Sequence, residues 1–217
     1  MPFDLTLTFD NGPTPGVTED VLGVLDSHGV KASFFVIGEK VGSAAGMALM
    51  QRVHAAGHWI GNHTWTHSVP FGLRDVPLSA VDEIAETQAL IGPCAHPQRL
   101  FRPFGGGGNL DRRLLNRQAV DYLLAERFTC VLWNAIPRDW DDADGWVDTA
   151  LAQCRAQPWS LMVLHDLPTG AMRHLDRFIT QVKAEGGVIR QDFPTECVPI
   201  VQGQVMRPLD DYTALAA

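Results

Sequence analysis

The chain has 217 residues, with 17 Lys plus Arg against 25 Asp plus Glu, a formal net charge of −8, and 46% hydrophobic residues. This composition is typical of a folded globular protein, and it excludes both a disordered chain and a miniature domain held together by disulfides. The negative charge argues against a nucleic-acid partner, because a nucleic-acid binder needs a basic face to neutralise phosphates.

Along the chain, short apolar runs alternate with longer helical patterns, which is typical of a parallel sheet built from strand-helix units. We predict, in order, a strand over Leu5–Phe9, a helix over Thr18–His28 with Thr18 as N-cap, a strand over Ala32–Val36, a helix over Ala44–Ala56, a strand over His58–Gly61 and a helix over Ser79–Leu90. The series continues with a strand starting at Leu100–Phe101, a helix over Asp111–Val120, a strand over Thr129–Trp133, a helix over Asp144–Ala156, a strand over Leu161–Leu164 and a helix over Leu175–Glu185.

No linker or low-complexity segment divides this series. We therefore expect residues 1–217 to form a single α/β domain, a distorted (β/α) barrel of about seven strand-helix units with its core over residues 5–190. An open doubly wound sheet is the alternative architecture. The tail Val198–Ala217 is less periodic, and we expect it to be peripheral, as an extra strand, a hairpin or a loose end.

The cysteines and the N-terminal residues bear on the cellular location. Cys94, Cys130, Cys154 and Cys197 lack the close spacing of zinc and redox motifs, so we expect free thiols in a reducing compartment. The first residues show no basic segment followed by an apolar one, and no later run reaches the 18 or so apolar residues that a membrane span requires. The sequence predicts a cytoplasmic protein without a membrane partner.

Reactive groups in parallel α/β folds gather at the carboxyl ends of strands, so polar residues in these places are candidates for catalysis. Asp10 and Asn11 follow the first strand in an Asp-Asn-Gly-Pro segment, which by itself also fits an ordinary turn. His165 directly follows the strand Leu161–Leu164. Because imidazole titrates near neutral pH, a histidine at this position is a candidate for proton transfer.

His63 and His67 follow the strand His58–Gly61 and are four residues apart. Positions i and i+4 share one face of a helical turn, so both imidazoles could bind one metal ion. Taken alone, this spacing is also common by chance.

Two further segments follow predicted strands. Arg102 precedes Pro103 and Phe104, and then come four glycines at 105–108 whose amides could stabilise an oxyanion or simply form a flexible surface loop. Asp139 and Trp140 come after the strand Thr129–Trp133, and taken alone they fit a surface acid beside a half-buried indole.

The order of these segments resembles the polysaccharide deacetylase family, also called carbohydrate esterase family 4. The segments are Thr8–Pro13, His63–His67, Arg102–Gly105, Asp139–Trp140 and Leu164–His165. The resemblance extends from about residue 5 to about residue 190, and the family's distorted barrel agrees with the predicted elements. It implies a hydrolase of carbon-nitrogen bonds that uses a divalent metal, for which zinc is expected and cobalt or nickel are alternatives.

The resemblance also implies a role for each matching residue. Asp10 would be the general base and Arg102 would orient its carboxylate, while His165 would be the general acid with Asp139 supporting its charged form. The residues implied to contact the substrate are Phe104, through its backbone amide, Trp140 and Leu164.

The implied metal ligands are His63, His67 and Asn11. The family has a second aspartate at the position of Asn11, so this chain departs from the pattern at one ligand. An amide oxygen can bind a metal, but it brings no negative charge, and we expect the affinity for the ion to fall. The ion that remains would be more electrophilic, so a weaker site need not be inactive.

Three functions remain open from the sequence. The first is deacetylation of an N-acetylated amino sugar or oligosaccharide, which the complete set of acid, base and histidine ligands supports. The second is hydrolysis of a small non-sugar amide, ureide or cyclic imide with a weakened or absent metal site, which Asn11 and the lack of a signal-peptide pattern favour. The third is a catalytically impaired barrel that binds carbohydrate, against which the intact acid and base argue.

Overall fold

A curved sheet of parallel strands forms the centre of the protein, which we describe from a computed structural model over residues 2–73 and 79–214, without the side chain of Ser79. In these ranges the strands are β1 (Asp4–Asp10), β2 (Ser33–Val36), β3 (Trp59–Asn62), β4 (Leu100–Phe101), β5 (Thr129–Cys130), β6 (Trp159–His165), β7 (Val188–Arg190), β8 (Ile200–Val201) and β9 (Gln204–Val205). The parallel strands are ordered β6-β1-β2-β3-β4-β5, and β7 pairs with the first residues of β1. Antiparallel β8 and β9 extend the sheet beyond β5.

Helices connect most of the parallel strands. Within the same ranges they are α1 (Val17–Ser27), α2 (Gly38–Val41), α3 (Ala44–Ala55), α4 (Ser79–Ile91), α5 (Arg117–Ala125), α6 (Trp146–Arg155) and α7 (Leu175–Ala184). After β5 the chain returns to β6, where Ala135 pairs with Met162 and the Val163 N–H donates to the Ala135 carbonyl at 3.0 Å. This contact curls the sheet back on itself, which confirms the predicted distorted barrel over an open doubly wound sheet.

Strand β6 shows how the sheet divides the apolar core. Leu161 and Val163 belong to one buried cluster, whereas Met162 and Leu164 belong to another that also contains residues of α1, α6 and α7. Successive side chains of a strand point to opposite faces, so β6 is apolar on both sides, as expected for a strand of a parallel sheet covered by helices.

Several element boundaries differ from the prediction, and three of these differences have a clear local reason. Helix α5 begins only at Arg117, because the Asn116 side chain caps it by accepting the Ala119 N–H at 2.8 Å. Strand β5 ends at Cys130, because Arg102 binds the next two carbonyls. Thr18 lies inside the first turn of α1 rather than at its N-cap, and its buried hydroxyl donates to Asp166.

The tail forms the hairpin β8-β9, one of the expected forms, and Leu115 bridges to Thr213 beyond it. Residues 215–217 of the predicted tail lie outside the described residues. All four cysteines are buried and free, in agreement with the expected thiols. Among the described helices, none combines the length and the apolar character needed to cross a membrane.

Gly61 in β3 generates a prediction for stability. A Cβ atom at this position would lie 2.6 Å from the Phe35 ring and 3.2 Å from the Leu100 side chain. Because overpacking forces neighbours to move, we expect Gly61→Ala to lower the free energy of unfolding by about 1–3 kcal/mol in urea titrations. The control is Gly23→Ala in α1, where an added Cβ meets nothing within 4 Å. We expect this variant to be more stable by about 0.5–1 kcal/mol, and equal effects of the two substitutions would contradict the packing described here.

Candidate active site

A cavity of about 260 Å³ opens at the carboxyl ends of the parallel strands. Strand register brings the polar groups of this cavity together. Asp10 of β1 pairs directly with His165 of β6. Asn62 of β3 pairs with Phe101 of β4, so the residues that follow them, His63 and Arg102, are also neighbours. The cavity is lined by Asp10, Asn11, His63, His67, Pro103, Phe104, Gly105, Gly106, Gly107, Gly108, Trp133, Ile136, Trp140, Val163, His165 and Leu167.

Asp10 and Arg102 form an ion pair beneath this cavity. The Arg102 Nη1 atom donates to Asp10 Oδ1 at 2.8 Å, and the two residues are 3% and 0% exposed. The same nitrogen donates to the Thr8 hydroxyl at 2.7 Å. A buried charged pair of this kind is fixed in orientation, because each charge depends on the other for the solvation that water no longer supplies.

The remaining Arg102 donors bind the chain after β5. Its Nε and Nη2 atoms donate to the carbonyls of Val131 and Leu132, each at 3.1 Å, and the guanidinium lies 4.1 Å from the centre of the Phe35 ring. The planar fork of arginine suits this pattern, since its donors point in fixed directions while its face packs on an aromatic ring.

His63 and His67 lie together, with ring centres 4.6 Å apart, but the local structure differs from the predicted helical turn. The segment 63–68 is an irregular loop, and both Thr64 and His67 have positive φ, at 68° and 51°. The expected proximity of the two rings therefore arises from a left-handed bend rather than from helical spacing.

The two histidines are suited to bind a metal. Burial lowers the pKa of His63 to about 3 and that of His67 to about 2, so both rings are neutral at pH 7. The Arg102 carbonyl lies 2.8 Å from His63 Nδ1 and accepts a hydrogen bond from the Nδ1–H group. The lone pair of the neutral ring is therefore on Nε2. That Nε2 atom lies 3.5 Å from Asp10 Oδ2.

Asn11 supplies the third candidate ligand. Its Oδ1 atom is buried and finds no hydrogen-bond partner among the described residues. A buried oxygen without a partner is costly, and a cation would satisfy it. No group of three His, Cys, Asp or Glu side chains that could hold a metal ion is found in the described ranges, and Asn11 lines the same cavity as His63 and His67. Two imidazoles and an amide oxygen fit a divalent ion such as zinc or cobalt.

His165 lies beside Asp10 in the cavity lining and is oriented by Asp139. The His165 Nδ1–H donates to Asp139 Oδ1 at 2.9 Å, and the His165 backbone N–H donates to Asp139 Oδ2, also at 2.9 Å. Trp140 presents an edge to the His165 ring at 4.9 Å. With Nδ1 engaged and Asp139 fully buried, Nε2 is the nitrogen available to a substrate.

The charge state of His165 depends on this arrangement. Burial tends to lower the pKa of His165, but the hydrogen bond to Asp139 and the charges of Asp139, Asp10 and Asp166 outweigh burial and raise the pKa above its ordinary value. The ring therefore retains its proton to a higher pH than a free histidine, which suits a group that must donate a proton.

The four glycines 105–108 form one wall of the cavity. The Trp133 indole N–H donates to the Gly108 carbonyl at 3.3 Å, and Arg138 Nη1 donates to the Gly107 carbonyl at the same distance. A Cβ at Gly105 would lie 2.4 Å from the Trp133 ring, so a bare backbone is required for this close approach. The Phe104 ring packs on the His67 ring at 3.9 Å.

The structure brings the predicted site residues to one place, with one correction. Leu164 is fully buried in the core beside α1, α6 and α7 and does not line the cavity, because it points to the opposite face of β6 from Val163 and His165. The cavity wall is formed instead by Val163 and Leu167, together with Trp133 and Ile136, which the sequence analysis missed. Position at the carboxyl end of a predicted strand could have identified Trp133, as it did His165.

Comparison with known proteins agrees with this geometry. The chain is 35% identical over 173 residues to a chitooligosaccharide deacetylase of Bradyrhizobium sp. (strain ANU 289), an alignment that covers 77% of this chain and 73% of that protein. The structure of this chain is similar to that of a family 4 carbohydrate esterase from Streptomyces lividans solved in complex with acetate. The TM-score is 0.71, the identity is 25%, and the alignment covers 91% of this chain and 95% of the other.

A second solved structure contains a metal. It is a family 4 acetyl xylan esterase from Clostridium thermocellum in complex with a cobalt ion, with a TM-score of 0.70, 27% identity, and coverage of 86% of this chain and 87% of that one. The family model for polysaccharide deacetylase matches residues 2–121, more than half of the sequence. On the combined evidence of its fold, its cavity and these matches, the chain belongs to the polysaccharide deacetylase family.

Proposed function

We propose that this protein is a metal-dependent hydrolase of carbon-nitrogen bonds that removes the acetyl group from an N-acetylated amino sugar or oligosaccharide. The observation that carries the proposal is the register pair Asp10 and His165, which puts a buried carboxylate and a histidine of raised pKa side by side on neighbouring strands in the lining of one cavity. The deacetylase relative, whose name identifies chitooligosaccharides as its substrate, supports the choice of substrate class.

Asp10 supplies the base. Arg102 holds its Oδ1 atom and leaves Oδ2 toward His63, so the free carboxylate oxygen faces the cavity where water and substrate meet. The carboxylate takes one proton from the attacking water as the water oxygen bonds to the acyl carbon. The backbone N–H of Phe104, a residue that lines the cavity, would stabilise the negative charge that develops on the acyl oxygen.

His165 supplies the acid. Its Nε2 proton passes to the amide nitrogen as the carbon-nitrogen bond breaks, which releases acetate and a free amine. Asp139 holds the ring in place and stabilises the imidazolium before the transfer. Trp140 restricts the ring from the side, and together with Val163 and Leu167 it gives the acyl group an apolar surface.

His63, His67 and Asn11 would hold the divalent ion. When bound, such an ion polarises the acyl carbonyl and lowers the pKa of water near the site. The chain's own contribution is two neutral imidazoles, one of them fixed by the Arg102 carbonyl, and an amide oxygen that lacks any other partner among the described residues.

A small non-sugar amide is the second candidate substrate. The cavity of about 260 Å³ is below the range of roughly 300–1,000 Å³ common for small-molecule sites, and Trp133, Ile136, Val163 and Leu167 make much of its wall apolar. Such a substrate would use the same acid and base.

The direct test is acetate release from an N-acetylated chitooligosaccharide by protein stripped of metal and then supplied with zinc or cobalt. We expect activity only with metal, and a loss of about 10²–10⁴-fold in kcat/KM for Asp10→Asn and for His165→Ala. Turnover of small amides but not of the oligosaccharide would replace the first substrate class with the second. Oligosaccharide binding without any turnover would contradict the enzyme proposal and favour an impaired carbohydrate-binding barrel.

Substitution of Asn11 tests its role as a ligand. Asn11→Asp adds a negative charge at the ion, so we expect zinc to bind at least about tenfold more tightly in competition with a chromogenic chelator. Asn116→Asp adds the same charge at the N-cap of α5, where aspartate is also a good cap, and it should leave zinc affinity unchanged. Equal affinities for Asn11→Asp and the wild type would show that this side chain does not contact the ion.

Substitution of Asp139 tests the control of the acid. Asp139→Asn removes the carboxylate charge from the His165 hydrogen bond, so the pKa of His165 should fall toward or below its ordinary value of about 6.5. Because the acid works only when protonated, the alkaline limb of the pH profile of kcat/KM should move to lower pH. Both quantities can be measured, by NMR titration and by kinetics.

Asp144→Asn is the matched control for this experiment. Asp144 pairs with His174 at 3.0 Å on the surface, so this substitution should leave both the pKa of His165 and the pH profile unchanged. A His165 pKa that stays in place in Asp139→Asn would rule out Asp139 as the source of the shift.

A further inference from the structure

A buried carboxylate outside the cavity binds the loop that carries His67. Glu83 in α4 is 6% exposed, and its Oε2 atom accepts the backbone N–H groups of Trp65 at 2.8 Å and Thr66 at 2.9 Å. Its Oε1 atom accepts the Thr66 hydroxyl at 2.6 Å. Hydrogen bonds to a charged acceptor are about twice as strong as neutral ones, and here three of them converge on one side chain just before His67.

The loop needs such support because its backbone is strained. Thr64 and His67 both have positive φ, a region that is unfavourable for a residue with a side chain and that persists only where neighbours enforce it. Between these two residues lie the two amides that Glu83 binds. The Thr64 hydroxyl accepts a hydrogen bond from the His67 N–H at 3.1 Å, so the backbone of His67 is restrained together with the rest of the loop.

A second element holds the opposite side of the loop. The carbonyls of Thr64 and Trp65 accept the N–H groups of Gly38 and Glu39 in α2, at 2.9 and 3.1 Å. The loop is thus fixed between two helices, with α2 binding its carbonyls and Glu83 of α4 binding its N–H groups.

We propose that Glu83 is a positioning residue that fixes the loop 63–68 in the shape that directs His67 toward the metal. This inference rests on the proposed metal site. It adds a residue of α4, a helix that lies outside the five segments by which the sequence resembles the polysaccharide deacetylase family. Glu83 does not line the cavity, so it acts through the backbone of Trp65 and Thr66 and not on the substrate.

The test compares Glu83→Ala with Glu86→Ala. Glu86 is exposed on the same helix one turn later, so the control removes the same side chain without touching the loop. We expect Glu83→Ala to weaken zinc binding about 10–100-fold, the range found when groups that orient metal ligands are removed. We also expect faster amide hydrogen exchange in the peptide that spans residues 64–68, measured by mass spectrometry without metal.

Glu83→Gln separates positioning from a general packing effect. Glutamine keeps an oxygen that can accept the two backbone N–H groups, so it should recover most of the zinc affinity and of the exchange protection. A role of Glu83 that depended only on filling space would give the same recovery with Glu83→Met, whereas we expect Glu83→Met to behave like Glu83→Ala.

The outcomes distinguish this inference from the proposed function. If wild type binds zinc and Glu83→Ala binds it as tightly as Glu86→Ala does, the role of Glu83 is overturned while the metal site stands. If wild type binds no zinc, both are overturned. Should Glu83→Ala fail to fold, Thr66→Val decides, because it keeps the two backbone N–H bonds to Glu83 and removes the bond from the Thr66 hydroxyl, together with the contact of that hydroxyl with Ser68. Unchanged zinc affinity and unchanged loop exchange in that variant would overturn the inference.

Discussion

The buried contact between Arg102 and Asp10 is the constraint on which the rest of the site depends. Through its side chain Arg102 joins Thr8 and Asp10 of β1 to the carbonyls of Val131 and Leu132 after β5, and through its own carbonyl it fixes His63. Removing one member of a buried pair leaves an uncompensated charge, at a cost of about 3–5 kcal/mol. Closure of the barrel and orientation of Asp10, the proposed base, are therefore parts of one set of interactions, and one cannot be weakened without the other.

Much of the site could be predicted because parallel strands bring their carboxyl ends to one edge of a sheet. Asp10 and His165 each follow a predicted strand, so position along the sequence indicated that both lie at this edge, whereas the direct register of β1 and β6 is known only from the structure. The shape of the loop between His63 and His67 could not be predicted, because it depends on Glu83, a residue of the next long helix, and on backbone angles that local propensity disfavours. Leu164 was misplaced because alternation along β6 fixes which side a residue faces, and motif position does not include that information.

Asn11 makes this site less negative than one with the aspartate that the family has at this position. The turn that carries Asn11 packs against Asp166. The Asp166 carboxylate occupies the space where Gly12 lacks a side chain, since a Cβ at Gly12 would overlap it. Burial raises the pKa of Asp166 to about 7, and the hydroxyl of Thr18 donates to it. Packing of the turn thus determines where Asn11 lies, whereas the lack of charge at this position comes from the asparagine side chain itself. We therefore expect a cation held mainly by neutral ligands, with Asp10 as the nearby negative charge.

X-ray absorption at the zinc edge of the zinc-loaded protein tests the central claim most directly, because it identifies the atoms that hold the ion. We expect two imidazole nitrogens with oxygen ligands and no sulfur, and the loss of one imidazole in His67→Ala. A sulfur ligand would contradict the assignment of the metal site to this cavity, because it would show that the ion is bound by one of the buried cysteines. A spectrum unchanged in both His63→Ala and His67→Ala would contradict it as well, because it would remove the ion from this cavity.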